Sequence, residues 1–248
     1  NYSGYPVIRE MKYLINKGEL GKIRIVKGSY LQGWLGSKEE STGKNKQAEW
    51  RTDPKRSGAA GAVGDIGSHA MHLIEFLIGE KLKSVAADLS TFVEGRKLDD
   101  DASILLRMTN DIKGNLSISQ VATGEENNFK ISIYGEKGAL HWHQENPNYA
   151  TFNKLGLANQ IITRGGSMQK EGSLASIRIP PGHPEGYLEA FAQIYSDAAD
   201  IILNKENKSE LLSILPDVND GLHIMKFINA CVDSSLNNTK WIDLSTIK

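Results

Sequence analysis

The chain has 248 residues, with 29 Lys plus Arg against 30 Asp plus Glu and 40% apolar residues, enough for a substantial core in one large domain or two small ones. The near-balanced charge argues against nucleic acid or an anionic membrane surface as partner. No apolar run reaches the roughly 18 residues of a membrane-spanning helix. A single cysteine, Cys231, has no partner for an internal disulfide, which predicts a reduced, cytoplasmic setting.

The chain opens on Asn1 rather than Met, in the turn-like run Asn1-Tyr2-Ser3-Gly4-Tyr5-Pro6, and reads as a piece of something longer. Val7, Ile8, Met11, Leu14 and Ile15 follow helical spacing, with Gly18 as a stop. Lys22 to Gln32 reads as a strand. The polar stretch from Gly33 to Gly61 holds Trp34 and Trp50 but little periodicity, so a long functional loop is expected there.

A helix is predicted from about Asp65 to Ile78, with Ile66, Ala70, Leu73 and Leu77 on its apolar face and Gly79 at its end. From Leu82 to about Phe152 the pattern alternates, as in Ala102-Ile104-Leu106-Met108, Leu116-Ile118-Gln120 and Phe129-Ile131-Ile133. That is the signature of half-buried antiparallel strands, with turns at Asn110-Asp111 and Gly135-Glu136-Lys137-Gly138. Helices follow from Tyr187 to about Leu203, with Phe191, Ile194, Ala198 and Ile201 at helical spacing, and from Asp217 to about Ser234. A short strand is expected at Trp241-Ile242-Asp243-Leu244. The strands succeed one another without intervening helices, which disfavours a doubly wound parallel sheet. The fold class expected is α+β: a large open, mainly antiparallel sheet with helices on one face.

The segment richest in chemistry is Gly64-Asp65-Ile66-Gly67-Ser68-His69-Ala70-Met71-His72, where a carboxylate and two imidazoles at i, i+4 and i+7 share one face of a regular helix. Three roles fit that spacing. Asp65 can cap the helix, the three side chains can be part of a metal site, or His69 can act as a general base beside Asp65. Gly58-Ala59-Ala60-Gly61-Ala62-Val63-Gly64 matches neither common phosphate-loop pattern and better suits a close backbone approach.

Lys46, Trp50 and Arg51 are either a packed indole with exposed charges or donors and an aromatic wall for a hydroxylated ring. His183 sits in a rigid Gly-His-Pro turn that faces either a pocket or solvent. His141 and His143 flank Trp142 on a strand and point to the same, solvated side.

Several ordered motifs together resemble the Gfo/Idh/MocA oxidoreductases, a family that includes glucose–fructose oxidoreductase and inositol dehydrogenase. They are Gly18-Glu19-Leu20-Gly21-Lys22-Ile23-Arg24, Trp50-Arg51-Thr52-Asp53-Pro54, Gly64 to His69, and Gly182-His183-Pro184-Glu185-Gly186-Tyr187 with Glu189-Ala190-Phe191. The resemblance spans the whole chain but covers only the second half of such an enzyme. It implies that residues 1–248 are a C-terminal substrate-binding and oligomerising domain with a sheet like that of dihydrodipicolinate reductase. The N-terminal Rossmann domain that holds NAD or NADP would then lie outside this chain, leaving the isolated domain inactive and without cofactor-binding residues of its own.

The same resemblance makes Asp65 and His69 the catalytic pair, with no metal involved. Lys46, Trp50, Arg51, His72 and His183 become substrate-binding candidates for a sugar or polyol, although His72 stands where many relatives carry a carboxylate. A homo-oligomer, dimer or tetramer, assembled through the sheet is also implied. The competing class is a non-catalytic carbohydrate-binding or assembly module.

Overall fold

A computed structural model describes residues 1–167, 171–204 and 208–247. Its centre is a nine-stranded sheet in the order β8-β7-β6-β5-β1-β4-β3-β2-β9. The strands are β1 (Ile23–Leu31), β2 (Leu82–Ser90), β3 (Asp101–Met108), β4 (Lys113–Ser119), β5 (Asn128–Gly135), β6 (Gly138–His143), β7 (Tyr149–Lys154), β8 (Gln160–Thr163) and β9 (Ile242–Asp243). Every neighbouring pair is antiparallel except β1 with β4. The mainly antiparallel open sheet expected from the alternating segments is therefore present, with one parallel pair at its middle.

Alternation decides which face is covered. Val26 and Tyr30 of β1, Ile104 and Leu106 of β3, Leu116 and Ile118 of β4 and Ile131 and Ile133 of β5 are buried beneath helices. The helices are α1 (Pro6–Asn16), α4 (Ser68–Ile78) and α8 (Val218–Leu236), with the short α2 (Lys46–Arg51), α3 (Pro54–Ser57), α5 (Glu171–Leu174) and α7 (Lys208–Ile214), and α6 (Tyr187–Ile202). α4 crosses the sheet centrally, burying Ala70, Leu73 and Leu77 as its spacing requires, with Ile66 buried just ahead of it, and ends at Gly79 in the left-handed region (φ 70°). The opposite face of the sheet is bare: Ile25 and Leu105 project from it into solvent. His141 and His143 share that face while Trp142 enters the core, as the strand period requires.

Two expectations are corrected. The stretch from Gly33 to Gly61 is not a structureless loop but carries α2 and α3, capped by the Asn45 and Asp53 side chains. α6 does not bury the stripe Phe191, Ile194, Ala198 and Ile201; its fully buried residues are Ala190, Gln193 and Asp197. The physical reason is Arg9 on α1, which is buried and bonds to Asp197, while Gln193 donates to the other Asp197 oxygen at 2.7 Å. A buried cation requires its counter-charge, and this pairing rotates the helix.

Candidate functional site

Where β1 and β4 end side by side, their parallel ladder continues for a few residues: Gln32 N–H donates to Ser119 O at 2.8 Å and Leu35 N–H to Gln120 O at 3.0 Å. Beyond these carboxyl ends opens a pocket of ≈ 520 Å³, lined by Asn1, Tyr2, Tyr30, Gln32, Trp34, Asn45, Gln47, Arg51, Asp65, Ile66, His69, Asn127, Tyr187 and Phe191. Six parts of the chain thus converge: the N-terminal turn, the end of β1, α2, the turn leading into α4, the entry to β5 and the start of α6.

Asp65 lies not in α4 itself but in a wider π turn, Val63–Gly67, that leads into it. Its carboxylate caps nothing, since neither the turn nor α4 has a side-chain cap. Instead Asp65 Oδ2 accepts from Arg51 Nε at 2.9 Å and from Gln120 Nε2 at 2.8 Å. The amides at the entry to the turn go to another carboxylate. Asp99 Oδ1 accepts from Gly61 N–H at 2.6 Å and Asp99 Oδ2 from Val63 N–H at 2.8 Å. Gly61 lies so close to the segment leading into β3 that an added Cβ would stand 2.2 Å from Asp99 O. The glycine run is a packing device, and its committed amides are not free to cradle a phosphate.

His69, the second residue of α4, opens onto the pocket, and neither ring nitrogen has a hydrogen-bond partner among the described residues. The Tyr2 ring meets it edge-on at 5.4 Å between centroids. Burial of the surrounding volume lowers the His69 pKa from its ordinary value, so the imidazole is neutral at pH 7 and can accept a proton.

The far wall is one hydrogen-bonded chain. Tyr30 OH donates to Asn127 Oδ1 at 2.8 Å, so Tyr2 OH must donate to Tyr30 OH across their 2.6 Å contact. Gln32 Nε2 donates to the same Asn127 oxygen at 2.8 Å, and Trp34 Nε1 donates to Gln32 Oε1 at 3.0 Å. Among the described residues Arg51 is the sole cationic side chain lining the pocket; it is already paired with Asp65, donates to Gln47 and stacks on the Trp50 ring at 4.4 Å. The pocket therefore presents phenols, amides and an indole, with aromatic surface at Tyr187 and Phe191, and almost no uncompensated charge.

Of the residues singled out by sequence, the structure brings together Asp65, His69 and Arg51. Trp50 supports Arg51 from behind, and its Nε1 donates to Gln47 at 3.2 Å. Lys46 is exposed and does not line the pocket, whereas its neighbours Asn45 and Gln47 do. His183 is exposed and outside the pocket lining; its carbonyl accepts from buried Arg164, and the turn it rigidifies delivers Tyr187 and Phe191 instead.

His72 lies elsewhere, lining a ≈ 160 Å³ cavity with Lys12, Glu75, Phe76, Lys81 and Asp220. Asp65 and His69 share the pocket across the π turn, whereas His72, three residues further along α4, lines a separate cavity beside Lys12 of α1. Among the described residues no cluster of three His, Cys, Asp or Glu side chains is placed to hold a metal ion. Tyr2, Tyr30, Gln32, Trp34 and Asn127 escaped the sequence reading. The one signal for them was Tyr30 on the inward-facing phase of β1 followed by polar residues at its end.

Comparison with known proteins agrees with this architecture. The profile of the GFO/IDH/MocA C-terminal domain matches residues 8–141. An oxidoreductase structure from Sinorhizobium meliloti is 39% identical, covers 98% of this chain and 62% of its own, and superposes with a TM-score of 0.84. The inositol dehydrogenase homologue of Azotobacter vinelandii, complexed with NAD+, is 31% identical over 98% of this chain and 63% of its own, with a TM-score of 0.90. The same homologue has been crystallised with NADH and myo-inositol. The uncharacterized oxidoreductase YfiI of Bacillus subtilis is 28% identical over 98% of this chain and 63% of its own length. The chain thus spans about three-fifths of the length of each of these relatives. No helix among the described residues is long and apolar enough to cross a membrane.

Proposed function

The chain belongs to the GFO/IDH/MocA family of oxidoreductases, and from that premise we propose that it is the substrate-binding domain of an NAD(P)-dependent dehydrogenase that oxidises a hydroxyl of an uncharged sugar or cyclic polyol. The dinucleotide-binding domain would lie in the part of the protein outside these residues, as the span of the matched relatives supports. When bound beside the pocket, the nicotinamide supplies the hydride acceptor.

This chain's residues supply the rest. Neutral His69 takes the proton from the substrate hydroxyl as the carbon–hydrogen bond breaks, becoming imidazolium. Asp65 accepts a hydrogen bond from a substrate hydroxyl and stabilises that imidazolium one turn away. The Tyr30, Gln32 and Asn127 wall offers donors and acceptors to further hydroxyls, while Trp34, Tyr187 and Phe191 pack against the ring's C–H faces. A phosphate or carboxylate substituent would find no free cationic side chain among the described lining residues, which favours an uncharged substrate. The bare sheet face, with Ile25 and Leu105 exposed, is assigned to self-association.

The observation that carries this reading is the unpartnered, neutral imidazole of His69 in the same pocket as the pre-oriented Asp65 carboxylate. The test is NAD+ and NADP+ reduction by the full-length protein on myo-inositol, levoglucosan and free hexoses. His69→Ala and Asp65→Asn are each expected to lower kcat by about 10²–10⁴-fold. Retention of turnover by both variants, or no dinucleotide reduction with any uncharged sugar or polyol, would overturn the assignment and leave a binding or assembly module.

A further inference from the structure

Asp65 Oδ2 is saturated by two donors, whereas Asp65 Oδ1 has no partner among the described residues and belongs to the pocket lining. The two donors differ in how firmly they are held. Arg51 rides on the six-residue helix α2 with its side chain 24% exposed. Gln120 is 2% exposed and lies directly beyond β4, at the middle of the sheet.

The backbone of Gln120 is clamped on both sides: its N–H donates to Asp100 O at 2.8 Å and its carbonyl accepts from Leu35 N–H at 3.0 Å. Asp100 is itself locked, its carboxylate accepting from Phe92 N–H at 2.8 Å, Val93 N–H at 3.1 Å and Arg96 Nη1 at 3.1 Å. The orientation of the Gln120 amide is fixed by chemistry. A carboxylate oxygen 2.8 Å away requires the NH₂ end, since the carbonyl end would set two acceptors against each other. Nothing about Gln120 is needed for its own burial that a methionine or leucine would not serve better, because burying an amide without its partner is costly.

We propose that Gln120 is a positioning residue of the dehydrogenase site, holding Asp65 by Oδ2 so that Oδ1 points at the substrate hydroxyl. This inference rests on the assignment of Asp65 and His69 above. The sheet, rather than the α2 segment, then sets the Asp65 rotamer, and Arg51 balances its charge.

The test compares Gln120→Met and Gln120→Glu in the full-length protein, with NAD+ reduction measured on the uncharged substrate that turns over fastest. Gln120→Met fills the space without a donor. It is expected to lower kcat about 10–100-fold, the effect of a misplaced catalytic group, with a smaller change in KM. Gln120→Glu keeps the shape and donates to Asp65 only while protonated. Its kcat/KM relative to wild type should therefore be highest at acid pH and fall as the new carboxyl ionises, a dependence that Gln120→Met lacks.

A pure packing role would lower stability in both variants without this pH signature. Gln120→Met within twofold of wild type, or a Gln120→Glu profile parallel to wild type, would overturn the proposal while Asp65→Asn stays impaired. If Asp65→Asn and His69→Ala themselves keep full turnover, the functional assignment fails first, and the positioning role with it.

Discussion

His69 and His72, three residues apart on one helix, open onto different cavities: His69 onto the ≈ 520 Å³ pocket with Asp65, and His72 onto the ≈ 160 Å³ cavity with Lys12 and Asp220. The two imidazoles should therefore separate cleanly in mutagenesis. His69→Ala is expected to lower kcat by about 10²–10⁴-fold, whereas His72→Asn should change kcat and KM less than about threefold, given ordinary second-site effects. Because the His69 pKa is lowered by burial, the acid limb of the wild-type kcat/KM profile should fall below pH ~6.5, the ordinary value for histidine. An acid limb well above that value, or equal losses from the two variants, would contradict the division.

Burial pushes the His72 pKa down to about 4, which makes this histidine a determinant of acid stability. Its folded-state pKa is depressed relative to the unfolded chain, so between about pH 6.5 and 4 the unfolded state binds the proton and the folded state does not. Stability then rises with pH through that window and is lost as pH falls, by at most about 1.4 kcal/mol per pH unit from one proton. His72→Phe should flatten the decline, as read from urea midpoints at pH 7, 6, 5 and 4.5. Parallel declines for wild type and variant would show that His72 is protonated in the folded state.

The sheet was legible because a period of two is local: β3, β4 and β5 bury the alternate residues that the sequence marks, and α4 buries its marked stripe. The site was legible only in part. Asp65 and His69 sit four residues apart and announce themselves, but the partners that define their chemistry come from far along the chain. Gln120 lies 55 residues from Asp65, and Asn127 lies 97 from Tyr30. Such pairings follow from the order of strands in the sheet, which hydrophobic spacing does not encode. His72 was misplaced for a different reason. Hydrophobic spacing does not show that the stretch of α4 just after His69 is enclosed with Lys12 of α1 in a cavity of its own. On α6 the buried face is polar because Arg9 claims Asp197, a pairing across 188 residues.

The entry to the π turn depends on a close backbone approach. At Gly61 a methyl group would stand 2.2 Å from Asp99 O and 3.1 Å from Leu98 Cβ, so Gly61→Ala must displace the turn or the β2–β3 connection behind it. A destabilisation of about 1–3 kcal/mol is expected from overpacking, with a drop in kcat because Asp65 lies four residues on. Gly58→Ala is a poor control, since its positive φ of 96° is itself strained for alanine. Ala59→Ser, exposed and outside the turn, is the better one. A Gly61→Ala protein with wild-type melting temperature and turnover would mean that the approach is looser than the structure shows.

Leu105 and Ile25 stand 51% and 43% exposed on the open face of the sheet, where a shallow groove of ≈ 610 Å³ runs past Ala86, Ser103 and Asn115. An antiparallel sheet tolerates one solvated face when that face is polar, but large apolar side chains exposed there favour a covering partner. A second copy packed sheet to sheet would bury both residues about a twofold axis. In light scattering the full-length protein should run as a dimer or larger at micromolar concentration. Leu105→Asp places a charge in the centre of that contact, where leaving it unpaired is costly, and should halve the apparent mass. The fold should survive, because the position is already half in water: melting temperatures within a few degrees are expected at a concentration where wild type is dissociated. If Leu105→Asp leaves the mass of an oligomeric wild type unchanged, self-association uses another surface. A monomeric wild type would show that the open face is not covered by a second copy at all.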